Sequence, residues 1–221
     1  MPRITSLRHA ERQANILRSA EVCFARSGFH RTTMQDICRE AGISAGAVYV
    51  YFDSKEALIE GLVARDRDEI GEALARIGEA EDFFAALEAA LQSCVLDRPA
   101  HKASLFVEIV AEAHRNQRVA QSLAGCDRQL RSMLAGLIER ARAEGRLSGG
   151  LPAERLAMMM AMLGDALFIR RAMDPAFDGQ ALVPMLMASI RALLDEPETA
   201  APRPAAMPPR RPRVRSVAGA A

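Results

Sequence analysis

The chain has 221 residues, half of them hydrophobic, enough to bury one large core or two modest ones. Aromatics reach only 5%, Trp is absent, and Ala, Leu, Met, Glu and Arg dominate, a mixture rich in helix formers that excludes a strand-based fold. The net charge of +1 hides a basic head (residues 1–55, eight Lys/Arg against five Asp/Glu), an acidic body (56–197, 16 against 22) and a basic tail (198–221, five against one), so the head is the part suited to a polyanion.

The first helical signal runs from about His9 to Arg26, with Ile16, Ala20, Cys23 and Phe24 on one apolar face. Ser27-Gly28 ends it, Gly28 fitting the left-handed position past a helix C-terminus. Thr33 followed by Asp36 predicts an N-cap with an acidic residue at N3, opening a short second helix. Gly42 ends that helix and Ser44 caps a third, from Ala45 to Phe52. Two short helices joined by a Gly-containing turn are the signature of a helix-turn-helix. A long helix then starts at Ser54. Further apolar faces lie in Leu58–Leu74, Phe83–Val95, Leu105–Ala113, Leu130–Ala141, Pro152–Met173 and about Gln180–Leu194, with breaks at Asp97-Arg98-Pro99, 145–152 and Asp174-Pro175. The expected fold is all-α with about nine helices: a three-helix head with a helix-turn-helix over 1–53, a helical body over 54–197, and a disordered Pro/Arg-rich tail over 198–221.

Cys23, Cys38, Cys94 and Cys126 are far apart, form no C-x-x-C pair, and read as buried reduced thiols. His101 and His114 lack an i, i+4 partner, so no metal site is expected. The N-terminus lacks the apolar core of a signal peptide, and the most apolar stretch, Leu156–Ile169, is interrupted by Asp165 and too short to span a bilayer. A cytoplasmic protein without a membrane partner is therefore expected. No Ser/His/Asp or Cys/His grouping, phosphate loop or ligand cluster points to an enzyme, and no cofactor is expected.

Gly28 to Leu58 reads GFHRTTMQDICREAGISAGAVYVYFDSKEAL. Ile37, Ala41, Ile43, Val48 and Phe52 form a wedge that fixes the two short helices against the first. Tyr49 beside Tyr51 exceeds what so small a core needs, and its hydroxyl can reach a phosphate oxygen. Lys55 sits in the first turn of a helix, where a cation opposes the macrodipole unless an anion docks there. The plainer alternative is a solvated lysine and caps that are only caps. This stretch, with Thr33, Ile37, Ala41, Gly42, Ile43, Ser44, Gly46, Tyr49, Tyr51, Phe52, Ser54, Lys55, Glu56 and Leu58 at the matching positions, resembles the TetR/AcrR family of bacterial regulators. Beyond it, the chain resembles the family only in length, helical pattern and placement.

Thr33 and Ser44 cap the second and third helices, so those N-termini can face phosphates. The resemblance implies that the third helix enters the major groove of double-stranded DNA, with contacts from Ala45, Gly46, Ala47, Tyr49 and Tyr51, joined by Thr33, the first turn of the second helix and Lys55. Ala45, Gly46, Ala47 and Val50 offer no side-chain hydrogen bond for base reading, so polar reading falls to Arg31, Gln35, Arg39 or the tyrosines and affinity to phosphates. It also implies a homodimer on a pseudo-palindromic operator, in contact through the last two helices. Leu156, Met160, Leu163, Gly164, Ile169, Leu182, Met185, Leu186, Ser189 and Leu193 are the candidates there, the alternative being that these helices face only their own core. Finally it implies a cavity for a small hydrophobic or amphipathic effector. Phe84, Leu87, Phe106, Ile109, Met133, Met158, Met162, Asp165 and Phe168 are candidate lining, the alternative being ordinary core. The expected function is a dimeric, sequence-specific transcriptional repressor released by that effector; a regulator without a small ligand, either an activator or one controlled by a protein partner, is the alternative.

Overall fold

The computed structural model describes residues 2–174 and 176–195, with side chains from residue 8 onward, and among these residues every regular element is helical. α1 (Pro2–Ser27) buries Ile16, Leu17, Ala20, Cys23 and Phe24 along one stripe. It stops at Gly28, whose φ of 77° suits glycine and whose N–H donates to the Phe24 carbonyl at 2.8 Å. α2 (Met34–Ala41) opens on the predicted capping box: Thr33 Oγ1 accepts from the Asp36 N–H at 3.1 Å, and Asp36 Oδ2 accepts from the Thr33 N–H at 3.0 Å. The Thr33 hydroxyl and N–H, with Arg39 behind them, hold the Asp36 carboxyl below its ordinary range. Gly42, at φ 67°, turns the chain, and Ser44 caps α3 (Ala45–Tyr49). α3 ends short of the expected Phe52, because the Tyr51 and Phe52 N–H groups both fold back to the Val48 carbonyl and the Phe52 ring turns into the core.

The body comprises α4 (Lys55–Glu79), α5 (Phe83–Leu91), α6 (Ala100–Ala113), α7 (Gln117–Ala143), α8 (Ala153–Met173) and α9 (Val183–Asp195). α5 widens into a π-helical turn at Gln92–Leu96, where an unbroken helix to Val95 is expected, and a short 3₁₀ turn precedes α9. α7 starts well before the expected Leu130. Val119, Leu123, Cys126 and Leu130 continue its inward stripe at helical spacing, but polar neighbours dilute the pattern. Asn116 fixes that earlier start by accepting from the N–H groups of Arg118 and Val119. Arg146 closes the far end of α4 by donating to the carbonyls of Ile77, Gly78 and Ala80.

The three-helix head does not keep a core to itself. Ile37, Val48 and Phe52 of the expected wedge are buried, with Ile43 packed at its edge, in one cluster with Leu58, Ile59 and Leu62 of α4 and Leu105 and Ile109 of α6. α4 crosses α1 so closely that a Cβ at Gly61 would lie 2.8 Å from Leu17 Cδ2. A second cluster joins α4, α5, α7, α8 and α9 around Ile77, Leu137, Ile138, Ala157 and Leu194. Cys23 and Cys38 are buried free thiols, whereas Cys94 and Cys126 are only half-buried, contrary to the expectation for all four. Residues 198–221, with the expected disorder, lie outside the described residues.

Candidate nucleic-acid interface and body cavity

With Thr33 and Ser44 capping α2 and α3, the start of each short helix lies at the surface. Ala45, Gly46, Tyr49 and Val50 are exposed, Tyr49 at 52% and Val50 at 76%, while Ala47 is half-buried. Arg31, Thr33 and Gln35 are exposed at the start of α2, and Arg39 reaches back to Asp36 at 3.2 Å. The outer face of α3 is thus apolar at its centre and polar at its margin, fit to lie against thymine methyls and phosphates rather than to form bidentate base contacts. Gly46 has no positive φ, and a Cβ there would meet nothing within 4 Å. Alanine would favour the helix by about 1 kcal/mol, and no contact within the chain opposes it.

Tyr51 and Lys55 are placed differently from Tyr49. The Tyr51 ring is half-buried, 4.5 Å from the His9 ring and packed on the head core. Lys55 Nζ donates to the carbonyls of Phe29 at 2.6 Å and His30 at 3.3 Å, and sits 4.4 Å from the centre of the Phe29 ring. Carbonyls past the end of α1 therefore supply the anionic partner that a first-turn lysine wants. One of its three N–H donors is left over.

The helices of the body enclose a cavity of about 260 Å³, walled mainly by apolar groups such as Leu87, Leu105, Phe106, Ile109, Leu130 and Phe168. The Phe106 and Phe168 rings lie 5.5 Å apart, tilted. Of the expected lining, Leu87, Phe106, Ile109, Asp165 and Phe168 are on the wall. Phe84 and Met133 are not: both pack into the body core, Phe84 beneath the Arg191 guanidinium at 3.8 Å. Met158 and Met162 are not either, and stand exposed on the outer side of α8 at 41% and 61%. Met160, Leu163, Gly164 and Leu186, candidates for a subunit contact, line the cavity. The charged lining, which includes Asp66, Arg98, Lys102 and Asp127, gave no signal in the sequence because each charge lies at helical spacing among other charges.

Residues 16–62 match the family described as bacterial regulatory proteins, tetR family, and residues 79–195 match the BetI-type transcriptional repressor C-terminal domain. The chain belongs to the TetR family. It is 33% identical over 140 residues to the HTH-type transcriptional regulator UidR of Escherichia coli K12, an alignment spanning 62% of this chain and 69% of UidR. The HTH-type transcriptional regulator TtgR of Pseudomonas putida is 30% identical over 185 residues, spanning 77% of this chain and 84% of TtgR. Salmonella enterica GusR superposes with a TM-score of 0.71 at 27% identity, covering 83% of this chain and 95% of GusR. The chain is accordingly a transcriptional regulator and not an enzyme; TetR-family proteins bind DNA operators and dimerise.

In this TetR-family chain α6 ties the head to the body alongside α4. Glu21 of α1, 6% exposed, meets Arg65 of α4 and His101 and Lys102 of α6, the last two at 2.7 and 3.1 Å. Burial pushes the Glu21 carboxyl up, but Arg65, Lys102 and His101 together outweigh it and hold it below its ordinary range. Further along α6, Glu108 accepts the Phe29 N–H at 3.2 Å and Glu112 lies 3.0 Å from His30 Nε2. The same helix turns Lys102, Phe106 and Ile109 to the cavity.

The outer surface of α8 and α9 carries a run of exposed apolar groups: Met158, Met159, Met162, Ile169 and Met173 on α8, and Met185 on α9. Ser189 is also exposed there, its hydroxyl donating to the Met185 carbonyl. Leu156, expected at a subunit contact, is buried in the body core, and Leu193 packs against that core. Leu182 is half-buried. No helix among the described residues is long and apolar enough to cross a membrane.

Proposed function

We propose that the chain is a homodimeric repressor that grips a pseudo-palindromic operator with two copies of α3 and releases it when a small apolar or amphipathic molecule fills the body cavity. The observation that carries this reading is the position of α6, with the cavity on one side and Glu21, Phe29 and His30 of the head on the other. A ligand that displaces Lys102, Phe106 or Ile109 moves the groups that hold the α1–α2 turn, and with them the spacing of the two recognition helices. DNA half-sites one turn apart demand a separation of about 34–36 Å, so a small rotation of each head suffices for release.

Head contacts on this reading come from Ala45, Gly46, Ala47, Tyr49 and Val50 in the groove, and from Arg31, Thr33, Gln35, Ser44 and Tyr51 on the flanks. Lys55 contributes its charge near the backbone. The test takes inverted repeats from the promoter beside the gene as fluorescent duplexes and titrates the full chain by anisotropy. Binding of one duplex with two chains per site, and its reversal by members of a panel of hydrophobic compounds that also raise Tm, is the expected result. Retention of no duplex at low ionic strength overturns the regulator reading. Retention that no compound reverses removes the release step and leaves control by a protein partner.

A further inference from the structure

We propose that the body cavity selects a small hydrophobic cation, with Asp165 as its counter-charge, Asp127 beside it, and the faces of Phe106 and Phe168 as its apolar seat. The inference rests on the reading of the cavity as an effector site and deepens it by naming the chemical class.

Six charged side chains line the cavity: Asp66 and Arg67 from α4, Arg98 and Lys102 at the start of α6, Asp127 from α7 and Asp165 from α8. The lining from α5, the π-helical turn and α9 carries no charge. Five of the six are matched within the protein. Asp66 holds Lys102 at 2.9 Å and Arg98 at 3.4 Å; Arg98 also reaches Glu69 at 2.7 Å. Arg67 holds Asp68 and Arg131 holds Asp127, both at 2.7 Å. Asp165 alone among them receives neither an ion pair nor a hydrogen bond from a described residue. Burial against apolar groups pushes its carboxyl above the ordinary range, and the charge of Asp127 pushes it further. Asp165 is exposed in the single chain as well as on the cavity wall, so its carboxylate can meet the polar group of a ligand whose apolar part lies inside.

The unpaired charge of this lining is therefore negative. A cation relieves both the desolvation of Asp165 and its repulsion with Asp127. An anion gains nothing beside Asp165, and the cations of the lining are already paired: Arg67 with Asp68, and Arg98 and Lys102 in nearly buried pairs, 10% and 11% exposed. Phe168 lies three residues from Asp165 on the same helix, and its ring pairs with Phe106. Aromatic faces beside a carboxylate hold an organic ammonium by both of its attributes, charge and greasy surface. At about 260 Å³ the cavity is near the small end of ligand pockets, so one fused ring or short chain fills it.

The test uses the full chain and three probes sharing one ring system: 1-naphthylmethylammonium, 1-naphthylmethanol and 1-naphthylacetate. Calorimetric titration at pH 7 and fixed salt is expected to rank them ammonium, alcohol, acetate, with about tenfold between the first two. Asp165→Asn is expected to erase the ammonium's advantage and leave the alcohol unchanged. In the wild-type chain alone, ammonium affinity should fall faster than alcohol affinity as pH drops from 7 to 4, because Asp165 takes up a proton. That second readout needs no variant and stands even if the Asn chain folds poorly. Acetate binding as tight as ammonium, or an Asn variant with undiminished preference for the cation, overturns the proposal. So does an Asn variant that weakens self-association at unchanged ammonium affinity, since Asp165 then serves a subunit contact. Alcohol that binds and releases DNA with no preference for the cation overturns the cation class while keeping the release reading; no binding by any of the three overturns both.

Discussion

Gly46 occupies an exposed position in α3 with an ordinary backbone and open space where a side chain would be. Gly46→Ala should therefore stabilise the isolated protein by about 0.5–1 kcal/mol, a gain in helix propensity that reads out as a small rise in Tm. The same substitution should weaken operator binding by tenfold or more, because the methyl stands between the helix and the groove; a variant that is stabler and still binds tightly would show that the backbone does not approach the bases there. Lys55 makes the opposite case. Its ammonium satisfies two carbonyls and covers the Phe29 ring, so Lys55→Met should destabilise the head by about 1–2 kcal/mol in chemical denaturation. If α3 docks in the groove as proposed, losing this charge should also flatten the slope of log affinity against log salt by about one unit. A fall in stability with an unchanged slope would confine this lysine to holding the turn.

α6, together with α4, touches both the cavity and the head, and Glu21 of α1 is where the charge of that junction concentrates. Its carboxyl is held below the ordinary range in the folded chain, so the junction is strongest when the pH is above the ordinary glutamate value. It weakens as pH falls through the depressed folded value. Glu21→Gln should cost on the order of 2 kcal/mol at pH 7, since Arg65 and Lys102 keep Asp66 and Glu69 as partners, and should make unfolding less sensitive to acid. Urea denaturation from pH 7 to pH 3 checks this: parallel curves for the two proteins would remove Glu21 from the junction's pH response. The elements themselves were legible in unequal degree. Thr33, Asp36, Gly42 and Ser44 mark the short helices through local chemistry that tertiary packing does not override, and the structure keeps every one of those caps. α8 offers no such guide. It is apolar around most of its circumference, so periodicity cannot say which side faces the cavity, the core or the outside. Met158 and Met162 accordingly fall outside the cavity to which their residue type suited them, and Met160, Leu163 and Gly164 fall inside it. The charge pairing between α1 and α6 joins residues about eighty positions apart, which no local pattern encodes.

At the scale of the whole molecule, the surface of α8 and α9 decides whether one chain suffices. Five large apolar side chains on α8 and Met185 on α9 are exposed in the single chain; in the homodimer proposed above they form the subunit contact, where stable interfaces remove about 1,200–2,000 Å². On that reading one head, with a recognition helix of five residues whose outer face is apolar at its centre, is expected to bind a half-site weakly, and pairing is expected to turn two weak contacts into a usable affinity. Charge placed in the centre of that face should separate the subunits without touching either core, because Met162 and Met185 are 61% and 62% exposed in the single chain. Met162→Glu with Met185→Glu is thus expected to give a monomer by sedimentation velocity, folded to the same helix content by circular dichroism, and to lower affinity for a full inverted repeat by about a hundredfold or more while leaving half-site binding unchanged. A dimer that survives both glutamates places the subunit contact on another surface, and a monomer that still binds the full repeat tightly removes the need for pairing.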